Sequence, residues 1–171
     1  MLFRSVLGIA ESVGEAFVKA EEAAGSSLPL TGSVLFAIGS RDLGEISDIA
    51  LRFNNLGFKI LATGGTFETL IKAGINAQRV NKIYEGRPNV LDFIINGEVD
   101  LIINTPSFNL DSSAEWGGEM RRSAVRARLP IITTIAAARA AIEGIEYMRS
   151  HNANAEPKSL QEWHKLISAP C

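Results

Sequence analysis

From Gly32 onward the chain alternates between short apolar runs and stretches whose apolar residues return at helical spacing, and few folds satisfy that alternation. Val34–Ile38 is the first strand-like run. Ile46, Ile49, Ala50, Phe53 and Leu56 then mark a helix that Gly57 ends. Phe58–Ala62 is a second strand, followed by a Gly/Thr turn and a short helix carrying Phe67, Leu70 and Ile71 up to Gly74. Ala77–Val80 is a third, weaker strand, and Val90, Phe93 and Ile94 mark the next helix. Val99–Ile103 is apolar on both faces, as a strand buried from both sides must be. A polar loop over 105–118, a helix around Met120–Ala127, a fifth strand at Pro130–Ile132 and a long Ala-rich helix Thr134–Met148 complete the pattern. Parallel strands need crossover connections, and helices serve as those crossovers. The expectation is an α/β fold: a doubly wound five-stranded parallel sheet covered by helices on both faces.

Ahead of this body, Ile9, Val13, Ala16, Phe17, Ala20 and Ala24 read as an amphipathic helix, and Gly25–Gly32 reads as a linker. The expected division is an N-terminal helical arm and linker over residues 1–32 and one α/β domain over 33–171. Near the far end, Ser159 and Glu162 have the spacing of a capping box opening a last helix, with Leu160, Trp163 and Ile167 facing inward.

Composition narrows the chemistry. Lys and Arg number 17 against 19 Asp and Glu, a net charge of −2, so bulk charge does not hold this chain on nucleic acid or an anionic membrane. The one cysteine, Cys171, is the last residue, and the two histidines, His151 and His164, both fall in the C-terminal region. No Ser/His/Asp or Cys/His set, metal-ligand cluster or nucleoside-triphosphate loop is present, so no catalytic residue and no metal ligand is assigned. Nothing reaches the ~18–20 apolar residues needed to span a bilayer. The start is too broken by charge for a signal peptide, and a cytoplasmic location is expected.

Ligands of doubly wound sheets bind beyond the carboxyl ends of the strands. Strand two runs into Thr63-Gly64-Gly65-Thr66, where two glycines expose backbone amides at a helix start and two threonines add hydroxyls. The alternative is a plain strand-to-helix turn with Thr66 as helix cap. Strand three leads to Lys82, an ammonium that could pair with a phosphate, or a solvated lysine. Strand four ends in Asn104-Thr105-Pro106, where Asn104 offers a donor and an acceptor to a sugar or base edge, or makes a turn. Together Thr63, Gly64, Gly65, Thr66, Lys82, Asn104 and Thr105 outline an anion-binding crevice. Arg121-Arg122 opens a helix and reads as a solvated basic pair, the alternative being contact with a neighbouring subunit or a ligand. Asp111 and Glu115 read as loop carboxylates, and Trp116-Gly117-Gly118 as a loop held to the core by its tryptophan, the alternative being a movable flap.

Thr63-Gly64-Gly65-Thr66, Ala73-Gly74-Ile75-Asn76, the stretch from Val80 through Asn81-Lys82 to Glu85-Gly86-Arg87-Pro88, Ile102-Ile103-Asn104-Thr105, Arg121-Arg122-Ser123-Ala124 and Pro130-Ile131-Ile132-Thr133-Thr134 resemble the C-terminal allosteric region of the carbamoyl-phosphate synthase large chain. Leu7-Gly8-Ile9 and the residues from Gly14 to Ala20 resemble the segment leading into it. The resemblance implies a methylglyoxal-synthase-like fold and a regulatory fragment that is not itself catalytic. It implies a parent ligase using ATP and a divalent metal (Mg or Mn) in domains absent here, ammonia from a glutaminase small subunit, and a place in pyrimidine and arginine synthesis. It further implies a UMP- or IMP-class effector and a possible homo-oligomer, while the charge balance leads us to expect no nucleic-acid or membrane partner. By position, Thr63, Thr66 and Lys82 match residues around the nucleotide phosphate, and Asn104 one near the rest of the nucleotide. Asp42-Leu43-Gly44 stands where bacterial members often carry a lysine, Pro106 where they carry a threonine, and Ile131 where they carry a tyrosine offered to ornithine. A stand-alone methylglyoxal synthase acting on dihydroxyacetone phosphate is the alternative; Arg87 falls near that family's catalytic aspartate.

Overall fold

The computed structural model describes residues 6–106, 113–151 and 159–167. Five strands, β1 Ser33–Ala37, β2 Lys59–Thr63, β3 Ala77–Val80, β4 Leu101–Asn104 and β5 Ile131–Ile132, form one sheet in the order β3-β2-β1-β4-β5, and every pairing is parallel. The expected architecture is present. Winding runs outward from β1 to β3, then returns past β1 to β4 and β5. Right-handed crossovers therefore put helices α2 Ile46–Asn55 and α3 Gly64–Lys72 on one face, and α4 Val90–Ile95 and α5 Ser113–Arg126 on the other.

Alternation along each strand divides the core. Val34, Phe36, Ile60, Ala62, Leu101 and Ile103 face α2, α3 and α6 Ile135–Ser150, whereas Leu35, Ala37, Leu61 and Ile102 face α4 and α5. Phe53 meets Phe36 and Phe58 edge-on at ring-centroid distances of 5.9 and 5.3 Å, the geometry that aromatic quadrupoles favour. At the amino-terminal edge of the sheet, the Asp100 carboxylate accepts from the Ser33 amide at 2.7 Å and sits where a side chain on Gly32 would have to go.

Helix α1, Val13–Ala23, begins at Ser12, whose hydroxyl accepts from the Glu15 amide, and not at Ile9. It packs across α6. The crossing is set by two glycines: a β-carbon on Gly144 would lie 2.4 Å from Val18 Cγ2 and 2.7 Å from the Gly14 carbonyl oxygen. Such closeness leaves no room for any side chain. The linker is pinned as well, since the Arg149 guanidinium donates to the carbonyls of Leu30 and Leu56 and lies over the Phe58 ring.

Two sequence expectations change. The loop expected over 105–118 is shorter, because α5 already starts at Ser113; Trp116, Gly117 and Gly118 are helical, and no flap exists there. Arg121 and Arg122 consequently lie inside a helix, not at its start. The Ser159–Glu162 capping box forms at the head of α7, Leu160–Ile167. Asp111 and the side chains of Glu115, Leu160 and Ile167 lie outside the described residues. No described helix is long and apolar enough to cross a membrane.

Two measurements test these packing arguments. Gly144→Ala forces α1 away from α6, and overpacking of this kind typically costs about 1–3 kcal/mol; a lower denaturation midpoint and faster proteolytic cleavage within α1 are expected. At the start of α4, Asp92 accepts from Arg87 and from the Asn89 amide, which together hold its carboxyl below the usual carboxylate range. A carboxylate whose folded value is depressed stabilises above its unfolded value and loses that contribution as pH falls through the folded one. The stability gap between the unmodified chain and Asp92→Asn should therefore be fully open at about pH 6 and close on acidification below about pH 4, followed by denaturant unfolding.

Candidate functional site

The carboxyl ends of the strands are laced together by side chains that reach backbone groups. Asn104, at the end of β4, donates its amide Nδ2 to the carbonyl of Ala37 at the end of β1, at 3.0 Å. The Thr66 hydroxyl accepts from the Ile38 amide at 3.0 Å, and the Thr105 hydroxyl accepts from the Gly39 amide at 2.9 Å. All three side chains belong to buried residues. Each threonine uses its oxygen as acceptor and keeps its own O–H to donate.

β2 passes straight into α3, with Thr63 as the helix cap and Gly64 and Gly65 as its first two helical residues. The expected separate turn does not exist. Thr66 is not the cap; its side chain is committed to Ile38, and the Thr63 hydroxyl makes no capping bond. The amides of the first turn thus face outward unoccupied by their own cap, and that turn carries no acidic residue. Gly64 has φ +37°, in the left-handed region where a side chain is strained.

Lys82 completes this corner. The register that pairs Thr63 with Val80 brings the chain after β3 alongside the start of α3. The Lys82 side chain lies over Gly64, where a β-carbon would stand 3.2 Å from Cε and 3.5 Å from Nζ. Nζ donates to the Tyr84 hydroxyl at 3.2 Å and lies 5.7 and 5.8 Å from the ring centres of Tyr84 and Trp116. Glu85 accepts from the Lys82 backbone amide, not its ammonium. Among the described residues Lys82 has no carboxylate partner.

Sequence favoured a solvated Arg121 over one that meets a ligand, and the structure places it at the site. Its Nη1 donates to Asn104 Oδ1 at 3.0 Å, and the side chain is half-buried over the β1–β4 junction instead of solvated. Side chains of a helix lean toward its N-terminus, and α5 starts at the carboxyl edge of the sheet, so Arg121 leans back toward the site. Gly117, one turn earlier, leaves space for it: a β-carbon there would lie 3.5 Å from Nη1. The one available signal was the i, i+4 spacing of Gly117 and Arg121, which becomes meaningful only once 113–119 is known to be helical. Arg122 remains exposed. Trp116 packs against the core, as expected, but as part of a helix, and its indole N–H is buried without a partner.

The site thus gathers one ammonium, one guanidinium, the open amides of a helix start and several hydroxyls. Among the described residues, no group of His, Cys, Asp and Glu is placed to hold a metal ion. His151 follows α6 and His164 lies on α7, in the segments after the β-α body.

Comparison with known proteins agrees with this architecture. Residues 45–133 match the family described as MGS-like domain. The carbamoyl phosphate synthase large chain of Methanothrix thermoacetophila is 46% identical over 162 residues, which cover 95% of this chain and 15% of that one. The C-terminal section of the Methanopyrus kandleri large chain is 46% identical over 144 residues, 84% of this chain and 26% of that one. The corresponding section from Aquifex aeolicus is 40% identical, covering 94% and 30%. Among solved structures, the methylglyoxal synthase of Elizabethkingia anophelis superposes with a TM-score of 0.54 at 15% identity, over 67% of this chain and 79% of that one, a likeness of fold. The chain therefore belongs to the MGS-like domain family, and what it resembles within that family is the C-terminal MGS-like region of carbamoyl phosphate synthase large chains.

Proposed function

We propose that the crevice seats a phosphate-bearing effector of the UMP or IMP class, and that the chain acts as a regulatory, non-catalytic region of a carbamoyl phosphate synthase large chain. The observation that carries this reading is the Lys82 ammonium lying over Gly64 at the open start of α3, with no carboxylate beside it among the described residues. A dianionic phosphate would receive amide hydrogens from the helix start, a charge-assisted bond from Lys82, and the remaining protons of Thr63 and Thr66. Gly65 would let the phosphate approach the backbone, and Thr105 would hold the 38–39 segment that borders the seat.

In this reading residues 1–32 form an arm and linker attached to a domain over 33–171. The parent would be a cytoplasmic ATP-dependent ligase of pyrimidine and arginine synthesis. Its ATP, divalent metal, catalytic domains and glutaminase partner would all lie outside this chain. Regulation would follow if the effector binds one conformation of the parent more tightly than another; only that difference can shift activity. The competing reading, a lyase acting on dihydroxyacetone phosphate, needs a carboxylate base. By the sequence resemblance Arg87 falls near that base, and its side chain is exposed and paired with Asp92.

A ligand that binds only the folded chain raises its melting temperature, by the equivalent of about 2.7 kcal/mol at a hundredfold excess over Kd. UMP, IMP, N-acetylglutamate and inorganic phosphate are to be compared by thermal shift, and a nucleotide monophosphate should give the largest rise. A charged hydrogen bond contributes about 1.5–3 kcal/mol, so Lys82→Ala should weaken that ligand at least about tenfold while the unliganded melt stays close to that of the unmodified chain. An unchanged shift in Lys82→Ala removes Lys82 from the site. The same samples assayed for methylglyoxal formation should show none; turnover would establish the lyase.

A further inference from the structure

Asn104 has little left to offer a ligand as its principal contact. Its Nδ2 is committed to the Ala37 carbonyl and its Oδ1 to Arg121, and the residue is 3% exposed. The bond to Ala37 also fixes which way the amide points, because a backbone carbonyl can only accept. Oδ1 is thereby aimed at Arg121, whose guanidinium is held by one of its N–H groups over the junction of β1 and β4. That junction is the switch point of the sheet, where strand order reverses and ligands of such folds lie. A guanidinium has five N–H donors in a rigid planar fork. Among the described residues, one is engaged by a side chain and none by a carboxylate.

The second cation is one to two strands away. Lys82 lies over Gly64, at the end of β2, and β2 is separated from β4 by β1. With strands ~4.8 Å apart, the Arg121 fork stands roughly 7–10 Å from the Lys82 corner. A single phosphate is too small to bridge that gap. Between the two cations run Trp116 and Gly117 of α5: the indole beside Lys82, and Gly117 with its Cα open toward Asn104 and Arg121. A flat, rigid spacer fits such a wall better than a flexible chain, which would lose rotamer freedom on binding.

We propose that Arg121 is the specificity-determining residue of the crevice, reading a carbonyl oxygen on a planar ring at the far end of a phosphomonoester whose phosphate sits at Lys82, with Asn104 as its positioning residue. This rests on the reading of the crevice as a phosphate seat. The bond of Arg121 to Asn104 makes the fork pre-organised, so the ring carbonyl receives a donor already in place.

The test compares Kd values, by calorimetry on the whole chain, for ribose 5-phosphate and for whichever of UMP and IMP binds tighter. The nucleotide is expected to bind at least tenfold more tightly than ribose 5-phosphate. Arg121→Met should reduce that ratio to within about twofold of one while leaving the ribose 5-phosphate Kd within about twofold. Arg121→Lys, which keeps the charge but not the fork, should lose most of the ratio too, and it carries the test if Arg121→Met does not fold. Asn104→Ala should lower the ratio in the same direction. Equal binding of the two esters to the unmodified chain, or a ratio that survives both Arg121 substitutions, overturns the assignment while leaving the phosphate seat standing. Failure of both esters to bind overturns the phosphate seat and this assignment with it.

Discussion

The carboxyl edge of the sheet is held by one buried amide. Asn104 ties the end of β4 to the carbonyl of Ala37 at the end of β1, across the place where the two halves of the sheet part company. Left alone, those strand ends would carry polar backbone groups at the border of two apolar cores, a costly position unless each group is paired. Thr66 and Thr105 do the same for the Ile38 and Gly39 amides. The loop after β1 is thereby fixed by α3 on one side and β4 on the other. The geometry of the crevice follows from these three bonds: where α3 begins, where β4 ends, and where Arg121 finds its acceptor.

Charge is distributed unevenly around that edge. Four other cations of the body are matched: Arg52 with Glu146, Arg139 with Glu45 and Asp48, Arg87 with Asp92, and Arg149 with two carbonyls. The Glu146 carboxylate even raises the proton affinity of Arg52 above its ordinary value. Lys82 and Arg121 have hydroxyl, amide and aromatic neighbours instead. In a chain of net charge −2, two cations at one strand-end crevice with no carboxylate partner among the described residues place positive potential where a small anion can use it.

Most of the secondary structure was legible because its signals are local. Apolar runs bounded by glycine gave β1 to β4 within a residue or two, and the Ser159–Glu162 spacing gave the last helix start. The strand ends of the site were legible for the same reason, since a parallel sheet gathers the residue after every strand at one edge whatever their separation in sequence. α5 was misread because its first turns, Ser113 to Gly118, hold two adjacent glycines and few apolar residues; propensity opposes a helix there, and burial of Met120 and Ala124 against the sheet outweighs it. That single misreading also favoured a solvated Arg121, which inside α5 reaches Asn104.

The order of apolar and polar residues by itself determined a parallel layered scaffold and the edge on which its chemistry must lie, because periodicity and crossover handedness are properties of the chain. Tertiary structure alone decided what each of those residues does. Whether Thr66 caps a helix or holds Ile38, whether Asn104 meets a ligand or aims an arginine, and whether Gly14 and Gly144 are idle or the contact of two helices all depend on atoms far apart in sequence. Distances of a few ångströms between such atoms are set by packing, which no local pattern records.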